Sequence, residues 1–182
     1  PPAGPGWEGF TIEMALEPGA EQIGGAPHFL TIHDGKLPSS LVLGQWKGGL
    51  VVRFRDDAQP TPRGYRETGA RGVLRPSVPV ILTLRGEAGG MSFFTNGVLV
   101  RRAGIEWPRS TVLRGRLVIG DGAAGNEAWT GIIRGLAIHG EALSSQEIAS
   151  RSAHWQVGTT DLLRERASLI AFHAFGEGTG RE

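Results

Sequence analysis

The sequence contains no cysteine and only two lysines, Lys36 and Lys47. Without thiols the chain can form no disulfide bond, thiolate nucleophile or cysteine-ligated metal site. No stretch approaches the ~20 consecutive apolar residues of a membrane helix, and no secretory signal peptide is recognisable. The chain opens on Pro1-Pro2 and stops at Glu182 with no starting or closing element, so we expect it to be a piece of a longer protein.

Positive and negative charges nearly cancel, with 19 Lys+Arg against 18 Asp+Glu and a net charge of +1. Nucleic-acid binding generally needs a strongly basic face, so we expect no nucleic-acid partner. Hydrophobic residues make up 40% of the chain, which is enough for a packed core. The length of 182 residues suits one domain spanning 1–182. The many Gly, Ala and Arg residues are typical of a GC-rich bacterial genome.

Short apolar runs separated by turn residues predict an all-β fold. Residues 9–17 (GFTIEMALE) alternate, with Phe10, Ile12, Met14 and Leu16 on one face, which is the pattern of a half-buried strand. Further strands are predicted at residues 28–33, 78–85, 117–120, 131–139 and 169–175, and two hairpins are predicted, one from 41–45 and 50–55 and one within 91–102. The polar stretch between Asp56 and Gly72 is predicted to be a long loop.

Two local motifs support this interpretation. Asn96-Gly97 lies between β-rich runs, and this dipeptide is typical of a type I′ hairpin because both turn residues need positive φ. Residues 144–147 (SSQE) predict a capping box, in which Ser144 and Glu147 satisfy free amides at the start of a short helix. We therefore expect a two-sheet antiparallel jelly-roll sandwich with one short helix towards the C-terminus.

The order of these segments resembles a known family. The segments are GFTIEMAL at 9–16, TNGVLV at 95–100, GRLVIGDG at 115–122 and WTGIIRGLAIHGEALSSQEIA at 129–149. Together they resemble the concanavalin A-like lectin/glucanase superfamily in its laminin G-like branch, over residues 9–155. The resemblance implies a sandwich with a one-helix cap, and a binding module rather than an enzyme.

The final segment resembles the piece that normally begins such a domain. Residues 169–180 (LIAFHAFGEGTG) match an apolar strand followed by a Glu-Gly turn, although Gly176 replaces a common Asp. This order implies a permuted chain whose last strand, 169–175, pairs with the first. It resembles the jelly-roll domains next to VanZ-like membrane segments in bacteria, which implies an extracytoplasmic, membrane-anchored location. The last strand could fold into its own chain or a neighbour's, giving a monomer or a strand-swapped dimer.

Tryptophans in loops are candidate sugar-stacking groups. Trp129 next to Asn126, and Trp46 next to Gln45, pair an aromatic face with hydrogen-bonding side chains. Trp107 also lies in a loop. The alternative for each tryptophan is that it packs a loop against the sandwich with its N–H hydrogen bonded.

The loop at residues 121–127 offers candidate calcium ligands in Asp121, Asn126 and Glu127. Calcium prefers several oxygen ligands, and many laminin G-like domains hold calcium at a sheet edge. The alternative is a glycine-rich turn in which Asp121 and Asn126 bond backbone amides.

The spacing of two glutamates on the first predicted strand raises the question of hydrolase activity. Laminarinase-type relatives carry Glu-x-Asp-x-Glu on a strand, which places three acids on one face. Here Glu13 and Glu17 have this spacing, but Ala15 occupies the middle. We therefore interpret Glu13 and Glu17 as solvated residues on an outer face. The five scattered histidines show no zinc-ligand spacing.

From the sequence we expect a non-catalytic carbohydrate-binding module that recognises cell-envelope glycan in a larger bacterial protein. The alternative is a protein–protein interaction or adhesion module without a sugar site. A glycoside hydrolase is the less favoured alternative.

Overall fold

A computed structural model describes residues 9–20, 25–56, 61–105 and 113–175. Within these residues the chain forms eleven strands and one α-helix, followed by a 3-10 turn at Thr160–Leu163. The strands are β1 (Gly9–Pro18), β2 (His28–His33), β3 (Leu41–Trp46), β4 (Gly49–Phe54), β5 (Arg66–Ala70), β6 (Val80–Glu87), β7 (Gly90–Thr95), β8 (Val98–Ala103), β9 (Arg116–Ile119), β10 (Gly131–His139) and β11 (Leu169–Ala174), and the helix is α1 (Ser145–Val157). No helix in the described ranges is long and apolar enough to cross a membrane.

The strands form two antiparallel sheets that pack face to face. The six-stranded sheet has the order β11-β10-β1-β6-β7-β8, and the five-stranded sheet has the order β5-β4-β3-β2-β9. Neighbours in sequence are often not neighbours in the sheets, because the chain crosses repeatedly between them. This architecture confirms the predicted jelly-roll sandwich with one helix near the C-terminus.

Strand β1 is buried on both faces, which differs from the half-buried strand predicted. Phe10, Ile12, Met14 and Leu16 point into the core between the sheets. The opposite face, where Ala15 lies, packs beneath α1 and contacts Trp155. A sheet whose outer side is covered by a helix buries both sets of alternating side chains, so the polar positions of β1 are also removed from water.

Both predicted hairpins are present, and each closes through two residues with positive φ. Asn96 (φ 51°) and Gly97 (φ 81°) join β7 to β8, and Lys47 (φ 48°) and Gly48 (φ 68°) join β3 to β4. The Asn96 side chain also accepts a hydrogen bond from the Ile81 amide at 2.9 Å. This second contact ties the β7–β8 turn to the start of β6.

The predicted capping box begins α1. The Ser144 hydroxyl accepts from the Glu147 amide and the Glu147 carboxylate accepts from the Ser144 amide. The helix ends at Gly158, which adopts the left-handed conformation at φ 74°. The helix buries Ile148, Arg151, Ser152 and Trp155.

Two segments differ from the sequence prediction. The stretch predicted as a loop between Asp56 and Gly72 contains β5, whose polar side chains belong to an edge strand paired only with β4. The last strand, β11, pairs with β10 rather than with β1. Strand β1 has no free edge because β10 and β6 flank it, so β11 adds to the open side of β10.

Candidate functional site

Trp129 and Gln45 meet inside the protein. The Trp129 indole N–H donates to the Gln45 side-chain oxygen at 2.7 Å, and the indole packs edge-on against Phe29 with ring centroids 5.5 Å apart. Trp129 is only 8% exposed and Gln45 is 5% exposed. The predicted stacking and hydrogen-bonding roles of these two residues are therefore wrong, since their polar groups satisfy each other out of reach of a ligand.

Trp46 is the predicted aromatic that does face solvent. It ends β3 beside the hairpin turn, and 52% of it is exposed. The Lys47 ammonium lies 4.8 Å from the centre of its ring. A large exposed indole with an ammonium group beside it is a surface on which a sugar ring can stack. The third candidate, Trp107, lies outside the described residues.

Trp46 shares a surface with a row of polar side chains. The register of β3 with β4 pairs Trp46 with Gly49 and Val42 with Arg53, so by strand alternation Trp46, Val42 and Arg53 point to the same side, away from the core. We call this side of β5-β4-β3-β2-β9 the open face, in contrast to the helix-covered side of the other sheet.

Arg53 organises the polar part of the open face. Its guanidinium donates to Glu67 at 2.7 Å and lies 5.2 Å from the centre of the Tyr65 ring. These three side chains are partly exposed. They combine a planar cation, a carboxylate and a second aromatic ring, which are groups that hydrogen-bond to hydroxyls and contact apolar ring faces.

The loop at residues 120–128 borders the open face along β2. Its Asp121 carboxylate accepts from its own loop, from the Gly122 amide at 2.6 Å and the Glu127 amide at 2.9 Å. The Thr31 hydroxyl donates to the Asp121 carbonyl, and the His28 amide donates to the Glu127 carbonyl. One Asp121 oxygen is therefore already used in shaping the turn, as the alternative interpretation of this loop expected.

The three predicted calcium ligands are thus close in the chain but not preassembled. Asn126 and Glu127 are exposed, and Asp121 is partly buried. No group of three His, Asp or Glu side chains in the described parts of the chain already has metal-holding geometry. Calcium binding by this loop stays a prediction.

The two glutamates of the hydrolase hypothesis lie in different surroundings on β1. Glu13 is fully buried, not solvated as the sequence predicted, and its carboxylate accepts from the Arg151 guanidinium at 2.7 and 2.9 Å and contacts His139 at 3.3 Å. Burial alone would raise the pKa of Glu13, but the hydrogen bonds from His139 and Arg151 outweigh it and hold the pKa below its ordinary value. Glu17 pairs with Arg134. Glu13 therefore stays an ionised structural anion beneath a helix.

Comparison with known proteins agrees with this architecture. A family model for the concanavalin A-like lectin/glucanases superfamily matches residues 30–149. The chain belongs to this superfamily. Comparison with curated proteins finds no match.

Solved structures with a similar fold include a sialidase module, a whole sialidase and a Bacteroides protein. The CBM40 module of the Ruminococcus gnavus IT-sialidase, bound to α2,3-sialyllactose, superposes with a TM-score of 0.63 at 16% identity over 81% of this chain and 84% of the module. The NanB sialidase of Streptococcus pneumoniae gives 0.62 at 16% identity, over 79% of this chain and 24% of the sialidase. A Bacteroides ovatus protein, provisionally assigned as carbohydrate binding, gives 0.66 at 11% identity over 100% of this chain and 49% of its own. At these identities the likeness shows the fold alone.

This superfamily member also has a feature on its helix-covered side that the sequence did not indicate. A recess of about 950 Å³ opens between the end of α1 and strands β1, β10 and β11. Its lining includes Trp155, Ile132, Val157 and Phe175, and the last three are each at least 45% exposed. Exposed apolar residues around a recess are the usual mark of a contact surface. Sequence patterning could not find it, because its lining comes from six separate segments of the chain.

His28 is a further feature that the sequence did not indicate. It is 5% exposed on the open-face side of β2, beneath the 120–128 loop. Its Nδ1 lies 3.1 Å from the Glu127 carboxylate, yet neither ring nitrogen has a hydrogen bond within the described residues. Burial lowers the pKa of His28, and the nearby Arg53 charge lowers it further, against the opposing effect of Glu127 and Asp121. The ring is therefore neutral at neutral pH.

Proposed function

We propose that the chain is a non-catalytic glycan-binding module whose ligand lies along the open face, with Trp46 stacking on a sugar ring. The observation that carries the proposal is the exposed indole of Trp46 on the same face as Arg53, Tyr65 and Glu67. Sugar sites combine an aromatic surface with a few convergent polar groups, and these residues supply both.

The geometry of the strands supports this face, and the comparison supports a sugar-binding role for the fold. The strand register spaces Trp46 and Val42 by four residues, or about 13 Å along β3, and Arg53 lies across from Val42. This length suits a short oligosaccharide laid along β3. The superfamily fold is shared with a Ruminococcus gnavus module whose structure contains sialyllactose, so a sugar-binding role is established for this fold in another protein.

The absence of catalysis is part of the proposal. Glu13, the more buried of the two acids considered, is held as an anion by Arg151, whereas a glycosidase needs one carboxyl group that retains its proton. We further propose that the module belongs to a larger bacterial protein that carries it outside the cytoplasm, anchored to the membrane by other segments.

The test is a glycan array with the purified domain, run with calcium and again with a chelator. We expect saccharide binding that Trp46→Ala reduces about tenfold or more, which corresponds to losing about 1.4 kcal/mol of stacking. Phe175→Ala is the matched control, since Phe175 is a similarly exposed aromatic on the opposite side. Binding that survives Trp46→Ala, or a blank array in both conditions, would overturn the proposal.

A protein-binding function is the second candidate, and the recess near Phe175 favours it. If a partner protein inserts an apolar side chain into this recess, Phe175→Ala should abolish its binding and Trp46→Ala should leave its binding unchanged. The same two variants therefore separate the two functions, because each removes one exposed aromatic from one side of the sandwich.

A further inference from the structure

We propose that His28 and Glu127 are two ligands of a divalent metal site at the border of the open face, and that the site prefers zinc to calcium. The site unites a residue of β2 with the 120–128 loop. The metal site is independent of glycan binding, because its proposed ligands include neither Trp46 nor the side chains of Arg53, Tyr65 and Glu67.

The buried imidazole is the first observation. His28 is 95% removed from solvent, and both its ring nitrogens lack a hydrogen bond in the described structure. A buried polar atom without a partner costs about 1–3 kcal/mol, so such atoms are uncommon in folded proteins. A bound cation would satisfy Nδ1, which faces the Glu127 carboxylate.

The separation of the two groups is the second observation. Nδ1 of His28 and Oε2 of Glu127 are 3.1 Å apart. Two ligands of a tetrahedral zinc ion, each bonded at about 2.0–2.1 Å, lie about 3.3 Å apart. The Glu127 carboxylate reaches this position because residue 122 is glycine, and a Cβ there would lie within 2.2 Å of the same oxygen.

The local charge is the third observation. The charges of two carboxylates, those of Glu127 and Asp121, and of one guanidinium, that of Arg53, act on His28. Arg53 is the opposing charge, and Glu67 holds it at 2.7 Å. The balance of charge favours a cation, and the Asp121 carboxylate can supply a third ligand from the same loop.

The donor set decides which cation fits. Calcium takes oxygen ligands almost exclusively, whereas an imidazole with carboxylates suits zinc and related metals. Since the structure shows two ligands in place rather than three, we expect moderate affinity, with water completing the shell.

Isothermal titration of the metal-stripped protein with zinc chloride, and separately with calcium chloride, tests the site. We expect one zinc per chain, weaker binding of calcium than of zinc, and at least tenfold weaker zinc binding in Glu127→Gln. Glu127 is 45% exposed, so this variant should fold. Glu87→Gln, which changes a glutamate of similar exposure on the other sheet, should bind zinc as the unchanged protein does.

A second readout identifies the histidine. Zinc should shift the ring resonances of His28 in NMR spectra and leave those of His154 and His173 unchanged. The proposal is overturned by no zinc heat up to about 1 mM, by zinc binding that Glu127→Gln does not weaken, or by ring shifts at other histidines. Calcium binding without zinc binding would also overturn it and would instead support the carboxylates of the loop acting without His28.

Discussion

Replacing Arg151 by methionine is the perturbation that best tests how the helix-covered side is held together. Arg151 reaches from α1 to the buried Glu13 carboxylate of β1 through Nε at 2.9 Å and Nη2 at 2.7 Å. Methionine keeps most of the side-chain volume but removes the charge. The variant therefore leaves a carboxylate without its main partner at a position that is 0% exposed.

The expected cost follows from this burial. Removing one partner of a buried ion pair destabilises proteins by about 3–5 kcal/mol, because the remaining charge is uncompensated. His139 lies 3.3 Å from the same carboxylate and can take over part of the role, so we expect a value near the lower end, about 3 kcal/mol. In a double-mutant cycle, Arg151→Met combined with Glu13→Gln should cost at least about 2 kcal/mol less than the sum of the single changes.

The pH dependence has a definite sign. The pKa of Glu13 is lowered in the folded protein, so its contribution is present above the unfolded pKa and is lost as pH falls through the folded value. Without Arg151, burial raises the pKa of Glu13, so protonation on acidification relieves the penalty. The stability difference between the two proteins should shrink from neutral pH to about pH 4.

Urea denaturation at both pH values measures these differences. Arg134→Met is the matched control, because Arg134 also pairs with a glutamate of β1 but is 54% exposed, and such pairs contribute about 0–1 kcal/mol. A loss below about 1 kcal/mol for Arg151→Met, or a difference that grows on acidification, would show that Glu13 is not an uncompensated buried anion in the variant.

Three further changes have expected outcomes in thermal or urea unfolding. Gly97→Ala should destabilise by about 1–3 kcal/mol, because residue 97 has φ 81° and a Cβ would lie 2.8 Å from a Cα atom of α1; an unchanged midpoint would contradict the type I′ turn. Trp129→Phe should cost about 1–3 kcal/mol by leaving the buried Gln45 oxygen unpaired, and sugar binding should survive in the folded fraction. Ser144→Ala should cost about 1 kcal/mol and raise the pKa of Glu147, now lowered to about 2 chiefly by hydrogen bonds from Ser144, which NMR titration of the carboxylate would detect.

The two sheets differ in how far their outer sides are covered. The six-stranded sheet carries α1 and the Glu13–Arg151 pair, and much of its outer side is closed to ligands. On the five-stranded sheet the 120–128 loop covers part of β2, while Trp46, Arg53 and Glu67 on the other strands stay near solvent. Both the glycan-binding proposal and the metal proposal concern this second sheet for that reason.

Local patterns predicted most of the elements. Alternation identified β1, the Asn-Gly dipeptide identified the β7–β8 turn, and the Ser144–Glu147 box identified the start of α1. Strand β5 was missed, because an edge strand with one neighbour needs little apolar content and its sequence, RETGA, is indistinguishable from a loop.

The candidate site was predicted less well. Trp46 and Trp129 look alike in the sequence, since each lies in or near a loop beside polar residues. Only folding distinguishes them: Gln45 turns inward to bond Trp129, while Trp46, one residue later, points outward. Because strand alternation reverses direction at each residue, a difference of one position decides whether an aromatic binds a ligand or packs the core.

The sequence alone determined the fold class, the turns and the helix start, because these depend on residues within a few positions of one another. The tertiary structure decided which polar groups are buried together. Glu13 and Arg151 are 138 positions apart, and His28 and Glu127 are 99 apart in numbering. Such contacts follow from strand order and sheet packing, and no local pattern encodes which strand will lie beside which.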